Sequence, residues 1–476
     1  MEKTISSARA LAAEFLSFVN SAVTPFHVVD YSRKKLQAKG FLELHENQNW
    51  ELSIGGKYFL TRNNSSIVAF TVGFKFNSKN TGFKIIGAHT DSPCLRLAPI
   101  SKASAQDFQQ LCVTCYGGGL WHTWFDRELS IAGKIVLKNA KTQVFESRLF
   151  NIKRPLIKIP NLAIHLTPAE NRGKFEFNKE TQLRPIISSV IYEKLLKGPE
   201  DEKKSEETSI LKKHYEGLVK LIAKEGQLEE NDSIVDIDGY IFDSNPSTLF
   251  GLNEEFISSA RIDNLFSSFA ALNAIIESGD SIHKENGFIN LISLFDHEEC
   301  GSVSFQGADS YFLLENLKRI FNLLIGKDTK ADDFEKAMQN SFIISADMAH
   351  SIHPNYSDKH QQNHQVKINA GIVIKTNNDQ RYATDVVSAS LIRIIAENNQ
   401  VPIQDFIVKN DSPCGSTIGP MVSAKTGIKT VDIGAPQLSM HSVRETAGVL
   451  DALYYDRLFK GFFKDYENIN HTLLNL

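Results

Sequence analysis

A chain of 476 residues, 42% hydrophobic and 23% charged, has the composition of a globular protein with room for about two to four domains. A formal net charge of −4 implies no basic face, which makes nucleic acid and an anionic membrane poor candidates as partners. Five scattered cysteines, an odd number, make no disulfide framework and point to a reducing compartment.

In chain order, "ARALAAEFLSFVNSA" has the period of an amphipathic helix. Glu14 interrupts its apolar run, whereas a secretory signal needs a basic start and an unbroken apolar middle. No later window approaches the ~20 apolar residues of a membrane span, so a soluble, cytoplasmic protein is expected. "GKYFLTRNNSSIVAFTVG" and "TGFKIIGAHTD" read as strands. After residue 92 short β-like runs follow one another: "FQQLCVTCYGG", "IAGKIVLKN", "KTQVFESRLFNI" and "NLAIHLT". Turn-forming Gly and Asn separate them, as in an all-β insert. From about 186 to 230 the chain reads as helical and carries "PEDEKKSEETS", a run expected on a solvated surface. Strands alternating with helices then return to the end. The fold class expected is α/β, a mixed-sheet domain interrupted by a β-rich one: 1–91, then 92–243, then 244–476.

Four apolar runs share one habit. "FKIIGA" delivers His89 and Asp91; "FINLISLF" delivers Asp296, His297, Glu298 and Glu299; "SFIISA" delivers Asp347 and His350; "IKTVDIGAPQLSM" delivers His441. Asp263, in "SARIDNLFSSFAALNAII", sits where a helix begins. In open α/β sheets ligands bind beyond the carboxyl ends of the strands, where these ionisable groups fall. Imidazoles with carboxylates and no thiolate make a ligand set suited to zinc, with manganese or cobalt as substitutes. So many carboxylates repel one another without a cation, which points to a site for two metals.

Any one of these residues has an ordinary explanation as a surface or satisfied core group. Spacing argues otherwise, because His89 and Asp91 share a strand face and Asp91 can orient the ring as a partner behind it. The Glu298–Glu299 pair directly after a strand lets one side chain ligate while the other faces water. Three other features carry less. "CVTC", with Cys112 and Cys115, lacks a second pair and reads as strand-face cysteine. "YGGGLWHTW" lacks the lysine and hydroxyl of a phosphate-binding loop. "NDSPCGSTIGP" has no nucleophile-elbow pattern and reads as a tight loop near the site.

The chain resembles the M18 metallopeptidases, whose best-known members are aspartyl aminopeptidases. The likeness runs through most of the chain, in "GAHTDSPCLRL", "GGGLWHTWFDREL", "RPLIKIPNLAIHL", "ARIDNLFSSFAAL", "FDHEECGSVSFQGA", "SADMAHSIHPNYSDKH", "VKINAGIVIKTNNDQRYATD", "NDSPCGSTIGP" and "GAPQLSMHSVRE". The resemblance implies that His89, Glu299, Asp347 and His441 are metal ligands and that Asp263 bridges both metals. It implies Glu298 as general base and Asp91 as the aspartate behind the metal-bound histidine. His165 corresponds to a histidine that the β-rich, dimerisation domain supplies to a neighbouring subunit. Lys375 and His350 lie in stretches that help shape the substrate pocket. The chain departs from the family around the glutamate pair, where asparagine and valine are replaced by His297 and Cys300. An outward-facing His297 and a packed, small-hydrophobe Cys300 are expected there.

The function implied is hydrolysis of the first peptide bond of peptides with a free amino terminus, favouring Asp or Glu first, by a homododecamer holding two divalent metal ions. Two alternatives stay open: a broad or neutral-residue aminopeptidase or deacylase on the same metals, and a non-catalytic shell or cargo-type protein.

Overall fold

The computed structural model describes residues 2–77, 80–196, 208–326 and 330–473. The charged run "PEDEKKSEETS" spans 199–209, of which only Thr208 and Ser209 are described. By contact the chain divides into two units, one of Met1–Ser92, Ser247–Met440 and Glu445–Leu476, the other of Pro93–Pro246 and His441–Arg444. Among the described residues no helix is long and apolar enough to cross a membrane.

The first unit is α/β, built on a nine-stranded mixed sheet. Four neighbouring strands at its centre run parallel: Ile289–Phe295, Phe83–His89, Phe342–Ala346 and Lys429–Gly434. Each is buried along nearly its whole length because both faces are covered, as in a parallel sheet. Successive residues divide between two cores: Ile86 and Ala88 pack in one, Phe83 and Ile85 in the other. The first core also takes the helices Glu2–Ser21, Ile262–Asp280, Val386–Asn398 and Val449–Leu473. The second takes Phe312–Ile325, Asp333–Asn340 and Ile418–Thr426.

Parallel register decides where the chemistry falls. Phe295 pairs with His89, Ser345 with Gly87 and Ala346 with Ile433, so these strands end together at one edge. A smaller, five-stranded sheet in the same unit contains Phe256–Ser259, Glu445–Gly448 and Ala349–His350.

The second unit is an antiparallel six-stranded sheet in the order Phe145–Asn151, Leu129–Lys138, Ser233–Asp243, Cys94–Ala105, Phe108–Tyr116 and Ile186–Ser189. Among the described residues, three short helices, Val190–Leu196, Ser209–Lys213 and Glu216–Glu225, lie in the stretch read as helical from about 186. Its first residues, Ile186–Ser189, are instead an edge strand of this sheet. One β-like run is not a strand. "NLAIHLT" forms the 3-10 turn Ile164–Leu166, with Leu162, Ile164 and Leu166 exposed at 63%, 62% and 70%. It lies between Pro160 and Pro168, and its alternating apolar residues meet no ladder of backbone partners.

Candidate metal centre

His89 is the last residue of its strand and is 1% exposed. Its Nδ1 lies 3.0 Å from the Asp91 carbonyl and 3.4 Å from Asp91 Oδ1. Those acceptors hold the proton on Nδ1 and turn the Nε2 lone pair toward the site. Nε2 then faces Asp263 Oδ1 at 3.4 Å, Asp347 Oδ1 at 3.6 Å and Glu298 Oε2 at 3.8 Å.

Asp91 has a second task. Its two carboxylate oxygens accept the backbone N–H groups of Glu298 at 3.2 Å and Glu299 at 3.0 Å. These residues form the 3-10 turn Glu298–Cys300, entered through His297 at φ +67° and left through Gly301 at φ +98°. One buried aspartate therefore fixes both the imidazole and the turn that aims the two glutamates.

Asp263 opens the helix Ile262–Asp280 without helical geometry of its own, at φ −79° and ψ 107°. Its N–H donates to Glu445 Oε2 at 2.9 Å, and its carbonyl accepts from Ser92 Oγ at 2.6 Å. Ser268, one turn further on, donates to the His89 carbonyl at 2.7 Å. Asp347 follows the strand Phe342–Ala346, and its N–H donates to the Ile433 carbonyl at 2.9 Å.

The structure thus brings together His89, Asp91, Asp263, Glu298, Glu299 and Asp347. Two sets of donor atoms fall within 4.8 Å of one another, His89 with Glu298 and Asp347, and His89 with Asp263 and Glu299. Four carboxylates crowded round one imidazole suit divalent cations, since nothing else in the set balances their charge. The protonation of the bare site tells the same story. Burial pushes the Glu298 carboxyl up to about 8; His89 pulls it down, and Asp347, Asp91 and Asp263 push it further up. Burial disfavours the charged form of His89, and Glu298, Asp263, Asp347 and Asp91 outweigh it, carrying the ring well above its ordinary value.

The remaining candidates lie as follows. Lys375, 2% exposed, donates to the Met348 carbonyl at 3.2 Å and lies 3.7 Å from Asp347 Oδ2 and 5.1 Å from the Tyr382 ring. His350 is exposed, its ring 6.0 Å from Phe406. His165 is exposed on the turn Ile164–Leu166 of the β-rich unit. His441 groups with that unit too, at φ +64° with Nδ1 3.0 Å from the Gly118 carbonyl, which leaves its lone pair on Nε2.

Two expectations fail. His297 is not outward-facing: its side chain is 22% exposed, with Nδ1 2.9 Å from Ser304 Oγ and Nε2 3.6 Å from Asp296. The left-handed turn swings it back onto Asp296. Cys300 is exposed rather than packed, its thiol 3.6 Å from the His297 carbonyl, because it ends a turn that projects from the strand edge.

A cavity of about 310 Å³ is lined in part by His350, His353, Lys359, His360, His364, Tyr382 and Lys409. No carboxylate side chain lines it among the described residues. His360 Nε2 accepts the His353 N–H at 3.1 Å, and His353 Nδ1 accepts the Asn355 N–H at 3.2 Å. Burial lowers the His360 pKa below its ordinary value. Lys359 and Lys409 bring positive charge to the wall, each close to a carboxylate outside it, Asp358 at 3.8 Å and Asp411 at 3.4 Å. Ser92, Glu445 and Tyr382 were missed as site residues. The one usable signal of this kind was a carboxylate interrupting an apolar strand, as Asp432 does in "KTVDIG".

The chain is similar to known proteins along most of its length. The family model for aminopeptidase I zinc metalloproteases (M18) matches residues 18–463. "Probable aspartyl aminopeptidase" of Ricinus communis is 42% identical over 483 residues, covering 98% of this chain and 97% of its own. "Aspartyl aminopeptidase 4" of Saccharomyces cerevisiae is 45% identical over 472 residues, covering 97% of this chain and 96% of its own. A solved structure described as the cryo-EM structure of the Ape4 and Nbr1 complex superposes with a TM-score of 0.92 at 40% identity. It covers 98% of this chain and 88% of that one.

Proposed function

Starting from a chain that belongs to the M18 family of metal-dependent aminopeptidases, we propose that it removes acidic residues, Asp or Glu, from the amino termini of peptides. The observation that carries the preference is the cavity whose wall includes His350, Tyr382, Lys359 and Lys409 and, among the described residues, no carboxylate. An Asp or Glu side chain there would exchange water for charge-assisted hydrogen bonds. Lys375 belongs to the same neighbourhood through Tyr382, which lines the cavity.

His89, Asp263, Glu299 and Asp347 would hold a pair of divalent cations, zinc in the first instance, with His441 as the second imidazole. Cations bound there polarise the scissile carbonyl and lower the pKa of a water. Glu298 takes the proton of the attacking water and passes it to the departing amine, while Asp91 keeps the glutamate turn and the His89 ring in place. His165, supplied by a neighbouring subunit of a homododecamer, donates to the developing oxyanion. Light scattering tests that assembly: a mass of twelve chains is expected, and an active single chain would rule out the shared histidine.

Dipeptides beginning with Asp, with Leu and with an acylated residue separate the acidic preference from the neutral-residue and deacylase readings. Lys375→Ala is expected to cut turnover of the Asp-initiated substrate about tenfold to a hundredfold more than that of the Leu-initiated one, the worth of one charged hydrogen bond. Equal losses would reject the pocket, and a metal-loaded protein inert on every substrate would favour the shell reading.

A further inference from the structure

Asp432 takes no part in the steps above, yet it is a fully buried carboxylate inside the strand Lys429–Gly434. Its Oδ1 accepts from Ser345 Oγ and from Thr417 Oγ1, each at 2.6 Å, and its Oδ2 accepts from the Ala383 N–H at 2.6 Å. Its own N–H donates to Thr384 Oγ1 at 2.9 Å. A buried carboxylate is costly unless satisfied, and these donors satisfy it from three separate parts of the chain.

Each of those parts bears on the site. Ser345 lies two residues before Asp347. Ala383 follows Tyr382, whose ring lies 5.1 Å from Lys375 Nζ. Thr417 closes the loop that places Ser412, Pro413 and Gly415 in the cavity wall, to which Tyr382 also contributes. The fit is tight, since a Cβ on Gly419 would lie 2.2 Å from Asp432 Oδ2. Across the sheet Ile374 pairs with Ile433, so the antiparallel register carries Lys375 and Asp432 to the following rung.

We infer that Asp432 is the positioning residue of the cavity: it ties the Tyr382 segment and the 412–417 loop to the strand of Asp347, and so sets selectivity for an acidic first residue without touching the reacting atoms. The inference rests on the acidic-pocket reading. In Asp432→Asn one acceptor is exchanged for an N–H donor, and whichever donor it faces loses its partner. The walls then shift while the metal ligands keep their own bonds.

The test compares kcat and KM for Asp- and Leu-initiated dipeptides, with metal content and thermal stability, in D432N, T417V and T417S. The expected result for D432N is a rise in KM for the Asp-initiated substrate of about tenfold to a hundredfold. The Leu-initiated substrate should change little and metal content should stay as in the wild type. T417V, which loses one of the donors, should move the same way by less, and T417S, which keeps the hydroxyl, should restore wild-type selectivity. If D432N does not fold, the T417V and T417S pair decides. Equal losses on both substrates, or T417S behaving as T417V, would overturn the role of Asp432 in an enzyme that is itself selective. A wild-type enzyme without preference would overturn the pocket reading and this inference together.

Discussion

Replacing Glu298 by Gln is expected to lower kcat about 10²- to 10⁴-fold, the usual worth of a general acid–base group, while both metals remain bound. Gln keeps the size of the side chain and the Glu298 N–H bond to Asp91 Oδ1, so the turn Glu298–Cys300 should stand. What is lost is the ability to take a proton. The geometry also makes this variant discriminating. Glu298 Oε2 lies 3.8 Å from His89 Nε2, in one of the donor sets that fit a metal. If Glu298 were a ligand rather than a base, E298Q would shed metal as well as activity. An unchanged rate with metal retained would contradict both roles. Metal analysis beside single-substrate kinetics separates the three outcomes.

The α/β core was legible because its physics is local. Strands buried on both faces are largely apolar, so "FKIIGA", "FINLISLF" and "SFIISA" announce themselves, and a charged group at the end of such a run stands out. Convergence was not local. The bond from the Asp263 N–H to Glu445 joins residues 182 positions apart, and nothing near either residue signals the other. Two misreadings share a cause. "NLAIHLT" and Cys300 were judged by composition, but exposed turns take apolar residues as readily as strands do when no partner strand is present. His297 was misjudged because a left-handed φ of +67° redirects its side chain, and a sequence pattern carries no φ. His441–Arg444 group with the β-rich unit although the chain on both sides belongs to the other. That placement follows from the Gly118 and Thr123 contacts of His441 and Val443, more than 300 residues away in sequence. Asp432 was visible as a carboxylate in an apolar strand, yet only its three donors show what it is for.

Removing divalent metal should abolish activity and lower the melting temperature together. Asp263, Glu298, Glu299 and Asp347 meet around His89, faced by that imidazole and by the ammonium of Lys375, 3.7 Å from Asp347, which are too few positive groups for four carboxylates. Stripped of cations, they must share protons or repel, and burial already drives Glu298 to about 8. Metal that binds the folded chain alone stabilises it by mass action, about 4 kcal/mol at a thousandfold excess over Kd. Calorimetric titration of the metal-free, folded protein with zinc tests this most directly, with aminopeptidase activity followed in the same samples. Two equivalents per chain, one in His441→Ala, with activity rising as they bind, is the predicted result. A folded chain that binds none, or that cleaves peptides equally well without them, would contradict the account.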